Sequence, residues 1–230
     1  MRKRVIVNGD DFGQSHGVNL GVAQAHEQGI LTSGSLMVRW PAAKEAADYA
    51  SSHLRLGVGL HLDFGEWRLV ENQWAPLYQR VEISDAQALA DEAERQLDFF
   101  VQLVGRLPTH MDSHQNLHMR EPVRSVVNAL AKRHSIPLRG LGTSYCGRFY
   151  GQDENGGSRP DWISVSVLTE ILRSVTAEVT EISCHPAALS DLDTMYGPER
   201  LAELQTLCDP QLQQVVAELD LELVHFGMLR

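Results

Sequence analysis

Short β-branched or apolar runs alternate with amphipathic stretches along this chain, and turn residues punctuate each change. "RVIVNG" (4–9) reads as a strand that meets a polar, glycine-containing turn, "DDFGQSHG". Val18, Val22 and Ala25 recur at helical spacing within residues 16–29, which predicts a helix closed by Gly29. "ILTSGSLMV" reads as a second strand, "PAAKEAADYASSH" as a helix opened by Pro41, and "LRLGVGLHL" as a third strand. Residues 63–80 show no clear period, whereas "DAQALADEAERQLDFFVQLVG" (85–105) is strongly amphipathic and ends in glycine.

The stretch "HMDSHQNLH" (110–118) can be read in two ways. A helix would put His110, His114 and His118 on one face; a strand would align His110, Asp112 and His114. A helix ending at Gly105 and another starting near Glu121, with Pro122 in its first turn, leave room for one short strand, about "PTHMDSH". The strand reading is therefore preferred, with His118 in the loop or helical turn beyond. "SIPLRGLGT" looks strand-like, the glycine-rich segment 145–162 reads as a loop, and a helix is expected near 162–177. The strand "TEISCH", the helix "PERLAELQTLC" and the strand "LELVHFGML" complete the series. Strands alternating with helices imply an α/β fold with a mostly parallel sheet. No GxGxxG follows the first strand and polar residues recur at strand ends, which favours a (β/α) barrel over an open sheet.

Composition narrows this picture. With 43% hydrophobic and 22% charged residues and no apolar run of membrane-spanning length, residues 1–230 are expected to form one soluble domain without a membrane partner. The apolar stretch after the basic start is too short for a signal-peptide core. Cys146, Cys184 and Cys208 lack CxxC spacing and suit reduced thiols, so the cytoplasm is expected. A net charge of −10 argues against nucleic acid as a partner.

The strand ends carry the candidate chemistry: Asp10 and Asp11, His61 and Asp63, Asp112 and His114, Arg139, and His185. In parallel α/β proteins such ends meet at one mouth, and imidazole with carboxylate is the ligand mix of zinc and similar divalent ions. Each residue alone has a plainer reading. A single histidine after a strand is more often a hydrogen-bonded loop or core residue, and Asp10 and Asp11 could be a turn and helix cap. Adjacent buried carboxylates nevertheless repel unless a cation relieves them. Asp112 suits a supporting role, accepting the second N–H of a ligating imidazole. "DFG" occurs twice without the other kinase motifs, and no GxSxG elbow is present, so metal-activated water is a better nucleophile than any side chain.

"VNGDDFGQSHGVN", "GLHLD", "PTHMDSHQNLH" and "SCHPA", in this order and spacing, resemble the YdjC-like carbohydrate deacetylases, which include chitooligosaccharide deacetylases. The resemblance covers nearly the whole chain and implies a deformed (β/α) barrel related to the polysaccharide deacetylases. It implies one divalent ion, Mg2+ or Zn2+, held by Asp11, His61 and His114, with Asp10 as general base and His185 as general acid. The expected reaction is hydrolysis of an N-acetyl group on an amino sugar or short N-acetylglucosamine oligosaccharide. The partner is then a small carbohydrate, and a homodimer is entertained. Asp112, His118 and Arg139 remain candidates for substrate contact or support of the ligands. The family often carries further histidines where this chain has Gln115 and Asn116, which puts any contact made by those imidazoles in doubt. Trp67, Trp74, Tyr78, Phe149, Tyr150 and Trp162 are candidates for stacking on a sugar ring. Asp10 and Asp11 can serve one site only if the strand ends or bends there, and Gly9 and Gly13 permit a bend. Two alternatives stay open: a metal-dependent hydrolase of another bond, phosphoester or amide, and a non-catalytic metal- or sugar-binding module.

Overall fold

A computed structural model describes residues 2–71 and 73–229. In chain order the regular elements are β1 (Arg4–Phe12), α1 (His16–Gln28), β2 (Ser33–Leu36), α2 (Ala43–Ser52), β3 (Gly57–Leu62), β4 (Gly65–Val70), β5 (Gln73–Gln79), α3 (Ala86–Val104), β6 (Met111–Ser113), α4 (Val123–His134), β7 (Ser144–Cys146), α5 (Val165–Arg173), β8 (Val179–Cys184), α6 (Pro198–Leu207), α7 (Pro210–Glu218) and β9 (Glu222–Leu223). The main sheet runs β6-β3-β2-β1-β8-β7, with β9 also pairing β1, and every pairing within it is parallel.

That sheet curls into a barrel. Leu138 bridges to Met111 at the β6 edge, and Ser144 begins β7 at the opposite edge. Only residues 139–143 lie between, so the edges stand within about 20 Å of each other. The Arg139 side chain spans the curled interior: it reaches Asp112 on β6 at 2.7 Å and Glu181 on β8 at 2.8 Å, strands far apart in the sheet order. β1, β3 and β8 are buried almost throughout, as strands covered on both faces must be. One apolar cluster runs from Val5 to Leu221.

The helix signals act locally as expected. Ser15 caps α1 by accepting from Val18 N–H, Asp85 caps α3 through Gln87 and Ala88, and Gly105 closes α3 in the left-handed conformation, φ 76°. Other expectations need correction. Residues 63–80 contain an antiparallel hairpin, β4–β5, held by partners outside it rather than by its own periodicity. "SIPLRGLGT" contributes one bridge and no full strand, and the final strand is only Glu222–Leu223 before a 3₁₀ turn at Phe226–Met228. β6 is three residues long, and His114 begins a 3₁₀ segment beyond it rather than ending the strand. Helix α7, capped by Asp209, was not anticipated. None of the described helices is long and apolar enough to cross a membrane, and the three cysteines are free.

Candidate active site

The two aspartates share one cavity because β1 bulges between them. Gly9 pairs with Gly34 and Phe12 with Leu36, so Asp10 and Asp11 together face the single residue Ser35. Asp11 itself takes the left-handed conformation, φ 63°, a strain more often met at functional positions. Gly9 does not supply the bend; Gly13, φ 88°, turns the chain afterwards and its N–H is accepted by Asn19 Oδ1 at 2.8 Å.

Around Asp11 the imidazoles converge. Its Oδ1 lies 3.2 Å from His61 Nε2 and 2.9 Å from His114 Nδ1, and one ligand atom from each of the three residues falls within 4.8 Å of the others. All three are buried. Behind His61, Nδ1 donates to Asp112 Oδ1 at 2.7 Å, which leaves Nε2 facing Asp11. Asp112 Oδ2 is held by Ser35 Oγ and by Arg139 Nη2, both at 2.7 Å. Burial opposes charge on His61, but Asp112 and the bonds to Asp11 and Asp112 raise its pKa to about 10; burial likewise opposes charge on His114, and Asp11 raises it to about 9. Burial would raise the Asp11 carboxyl, yet the charges of His114 and Arg200 hold it well below the usual range. The set therefore favours positive charge between its members and has the donor chemistry of a divalent ion site. Asp10, His61 and Asp112 form a second such group, but there the Arg139 guanidinium already supplies the cation.

Asp10 accepts two bonds from Arg139, Nη2 to Oδ1 at 2.6 Å and Nη1 to Oδ2 at 2.9 Å, and a third from Asn8 Nδ2 at 2.7 Å. Burial works against its ionisation, but Arg139 outweighs that and lowers the pKa, so the carboxylate is available to take a proton. His185 Nε2 stands 3.8 Å from Asp10 Oδ2. Its backbone N–H donates to Glu203, which also accepts the Tyr196 hydroxyl, and its Nδ1 is 3.8 Å from Glu203 Oε1. Asp10, Asp11, His114 and His185 line one cavity of about 560 Å³, within the range of small-molecule sites.

Other sequence candidates sit elsewhere. Arg139 is fully buried and bonds Asp10, Asp112 and Glu181, so it holds the carboxylates and does not line the cavity. His118 lies against Ser113, with Nδ1 2.9 Å from Oγ; burial lowers its pKa to about 4 and it is outside the cavity lining. His110 is near Ser35 Oγ, stacks on Phe226 at 4.1 Å and is likewise held neutral by burial, with a pKa of about 4. Gly59 makes room for it, since a Cβ there would collide with the His110 ring. Asp63 accepts from Trp40, Tyr78 and Arg80 and knits the hairpin to the barrel. Of the six aromatic candidates, Trp67, Trp74 and Tyr150 line the cavity; Tyr78 is tied to Asp63, Phe149 is in the core and Trp162 lies under Arg159.

Sequence reasoning missed Tyr145, Tyr196, Glu66 and Arg200, all in the cavity wall. Arg200, Glu203 and Glu199 make the buried side of α6 charged, which no hydrophobic pattern signals. Gln115 and Asn116 both hold neighbouring segments in place. The Gln115 amide bonds both the N–H and the carbonyl of Trp67, at 3.0 and 2.7 Å, and Asn116 joins Arg139 to Tyr145.

An α/β barrel with an Asp–His–His set at its mouth, flanked by a carboxylate and a third imidazole, has a donor group that could hold a divalent ion. The chain belongs to the YdjC-like protein family, whose model matches residues 4–218. It is 33% identical to a carbohydrate deacetylase of Geobacillus stearothermophilus, covering 98% of each chain. It is 32% identical to a chitooligosaccharide deacetylase of Serratia marcescens, covering 95% of this chain and 96% of that one. A crystal structure of a putative cellobiose-phosphate cleavage protein from Enterococcus faecalis superposes with TM-score 0.76 at 26% identity, covering 100% and 99% of the two chains. The family 4 carbohydrate esterase of Streptomyces lividans, at 12% identity and TM-score 0.56 over 95% and 90% of the chains, shares the fold.

Proposed function

We propose that this chain is a metal-dependent carbohydrate deacetylase that removes the N-acetyl group from an amino sugar or short N-acetylglucosamine oligosaccharide. The observation that carries the reading is the cluster of Asp11, His61 and His114, whose members Asp11 and His114 line one cavity with Asp10 and His185. Asp11, His61 and His114 would hold the ion, and the imidazole pair suits zinc better than magnesium. When bound, such an ion lowers the pKa of water and polarises an acyl oxygen.

The remaining steps belong to the side chains. Asp10, kept ionised by Arg139, takes a proton from the attacking water as its oxygen bonds to the acyl carbon. The carbonyl π pair moves to the acyl oxygen and returns as the carbon–nitrogen bond breaks. His185, whose Nε2 stands 3.8 Å from Asp10 Oδ2, gives its proton to the departing nitrogen, yielding acetate and a free amine. Trp67 and Trp74 on the β4–β5 hairpin and Tyr150 offer ring faces to the sugar.

The test is acetate release from N-acetylglucosamine oligomers with and without chelator. Chelation is expected to abolish turnover, and Asp10→Asn to reduce kcat by roughly 10²–10⁴ while the metal still binds. Full turnover in Asp10→Asn refutes the assigned base. Phosphoester cleavage without acetate release from any N-acetylated sugar refutes the reaction.

A further inference from the structure

Arg200 is a buried cation that the reaction above leaves half used. The residue is 3% exposed; Nε donates to the Tyr196 carbonyl at 2.8 Å and Nη2 to Asp11 Oδ2 at 2.6 Å. Nη1 is buried and has no hydrogen-bond partner among the described residues, yet Arg200 lines the cavity with Asp10, Asp11 and His185. A charged donor left without an acceptor in such a place is costly. Anchoring Asp11 needs only Nη2 and Nε, so that role leaves Nη1 unexplained.

The charge distribution indicates what Nη1 meets. Arg139 is shared among Asp10, Asp112 and Glu181, and Asp11, the one anionic member of the metal set, is held by Arg200. An unpaired guanidinium N–H beside this ligand set favours an oxygen that gains negative charge there. The planar fork holds Nη1 rigidly beside the Nη2 that grips Asp11, so the donor is positioned before substrate arrives.

We propose that Arg200 is a catalytic residue whose Nη1 donates to the acyl oxygen of the N-acetyl substrate as that oxygen becomes negative, and afterwards to the carboxylate of product acetate. This rests on the deacetylase reading.

The experiment compares wild type with Arg200→Lys, which keeps a cation near Asp11 but removes the fork, and with Arg200→Ala in the presence of methylguanidinium. Zinc affinity is measured by titration calorimetry, acetate affinity for the zinc-loaded protein by NMR of labelled acetate, and folding by thermal melt. Arg200→Lys is expected to bind zinc within about threefold of wild type, to lose at least roughly tenfold in kcat with KM little changed, and to bind acetate about tenfold more weakly. Methylguanidinium, and not ethylammonium, should restore part of both activity and acetate binding in Arg200→Ala. Wild-type acetate affinity and kcat in Arg200→Lys overturn the proposal, as does a kcat loss fully recovered at higher zinc, which would make Arg200 a positioning residue only. If wild type binds zinc but releases no acetate from N-acetylated sugars, the deacetylase reading fails, and unaltered acetate affinity in Arg200→Lys then removes the Nη1 contact as well.

Discussion

Replacing Arg139 by methionine removes the cation at the centre of the barrel and nothing else of comparable charge. Three carboxylates lose their shared partner: Asp10 at 2.6 and 2.9 Å, Asp112 at 2.7 Å and Glu181 at 2.8 Å. Removing one partner of a buried ion pair costs about 3–5 kcal/mol, and at about 2–4 °C per kcal/mol for a chain this long, Tm should fall by roughly 6–20 °C at neutral pH. The pH dependence separates this account from simple loss of packing. In wild type Arg139 keeps Asp10 and Asp112 below the usual carboxylate range, so their contribution is present above that range and lost as pH falls through it. Glu181 has the opposite sign: burial lifts its pKa to about 7, so its contribution is present below the ordinary glutamate pKa and lost as pH rises through about 7. Without Arg139 all three carboxyls shift upward and are neutralised by protons as pH drops. Thermal melts of both proteins at pH 5, 6, 7 and 8 should show the widest gap at pH 8 and a much smaller one at pH 5. A gap that does not change with pH, or a Tm loss under about 3 °C at pH 7, refutes the reasoning.

Three further outcomes follow from the same geometry. Because His61 and His114 hold protons with pKa values of about 10 and about 9, metal binding to stripped protein at pH 7.5 should release about two protons per ion, read by calorimetry in buffers of different ionisation enthalpy; ordinary imidazoles would release only about 0.2. Asp112→Asn should keep the fold but weaken metal binding by about 10–100-fold, and a change under threefold in the measured Kd would remove Asp112 from its supporting role. Gln115→Ala should free the hairpin at Trp67 and raise KM for a chitooligosaccharide by about 2–10-fold with kcat nearly unchanged; protection of the 65–79 amides from hydrogen exchange should fall with it, and unaltered exchange counts against the clamp.

The difference between what could and could not be read from the chain is physical. Strands β1, β3 and β8 and helix α3 announce themselves because burial on one or two faces imposes local periodicity. The β4–β5 hairpin does not, since it is held by Gln115 and by the Asp63 contacts to Tyr78 and Arg80, which are invisible to any short window. The same holds within the cavity. Asp10, Asp11, His61 and His185 stand out because each closes or follows a strand-like run, and His114 because its stretch has room for only one short strand between two helices. Arg200 and Glu203 lie on a helix whose three charged residues, Glu199 included, all face inward, and only the fold shows this.

Gln115 and Asn116 leave the Asp11–His61–His114 cluster intact because their amides are spent on the Trp67 backbone, Arg139 and Tyr145 rather than on the ligand set. A substitution beside a ligand therefore acts here on the hairpin that carries Trp67 and Trp74 over the cavity. Changes at 115 should move substrate preference while leaving the chemistry of Asp10 and His185 alone, and changes at 139 or 200 should do the reverse, because those side chains touch the carboxylates themselves.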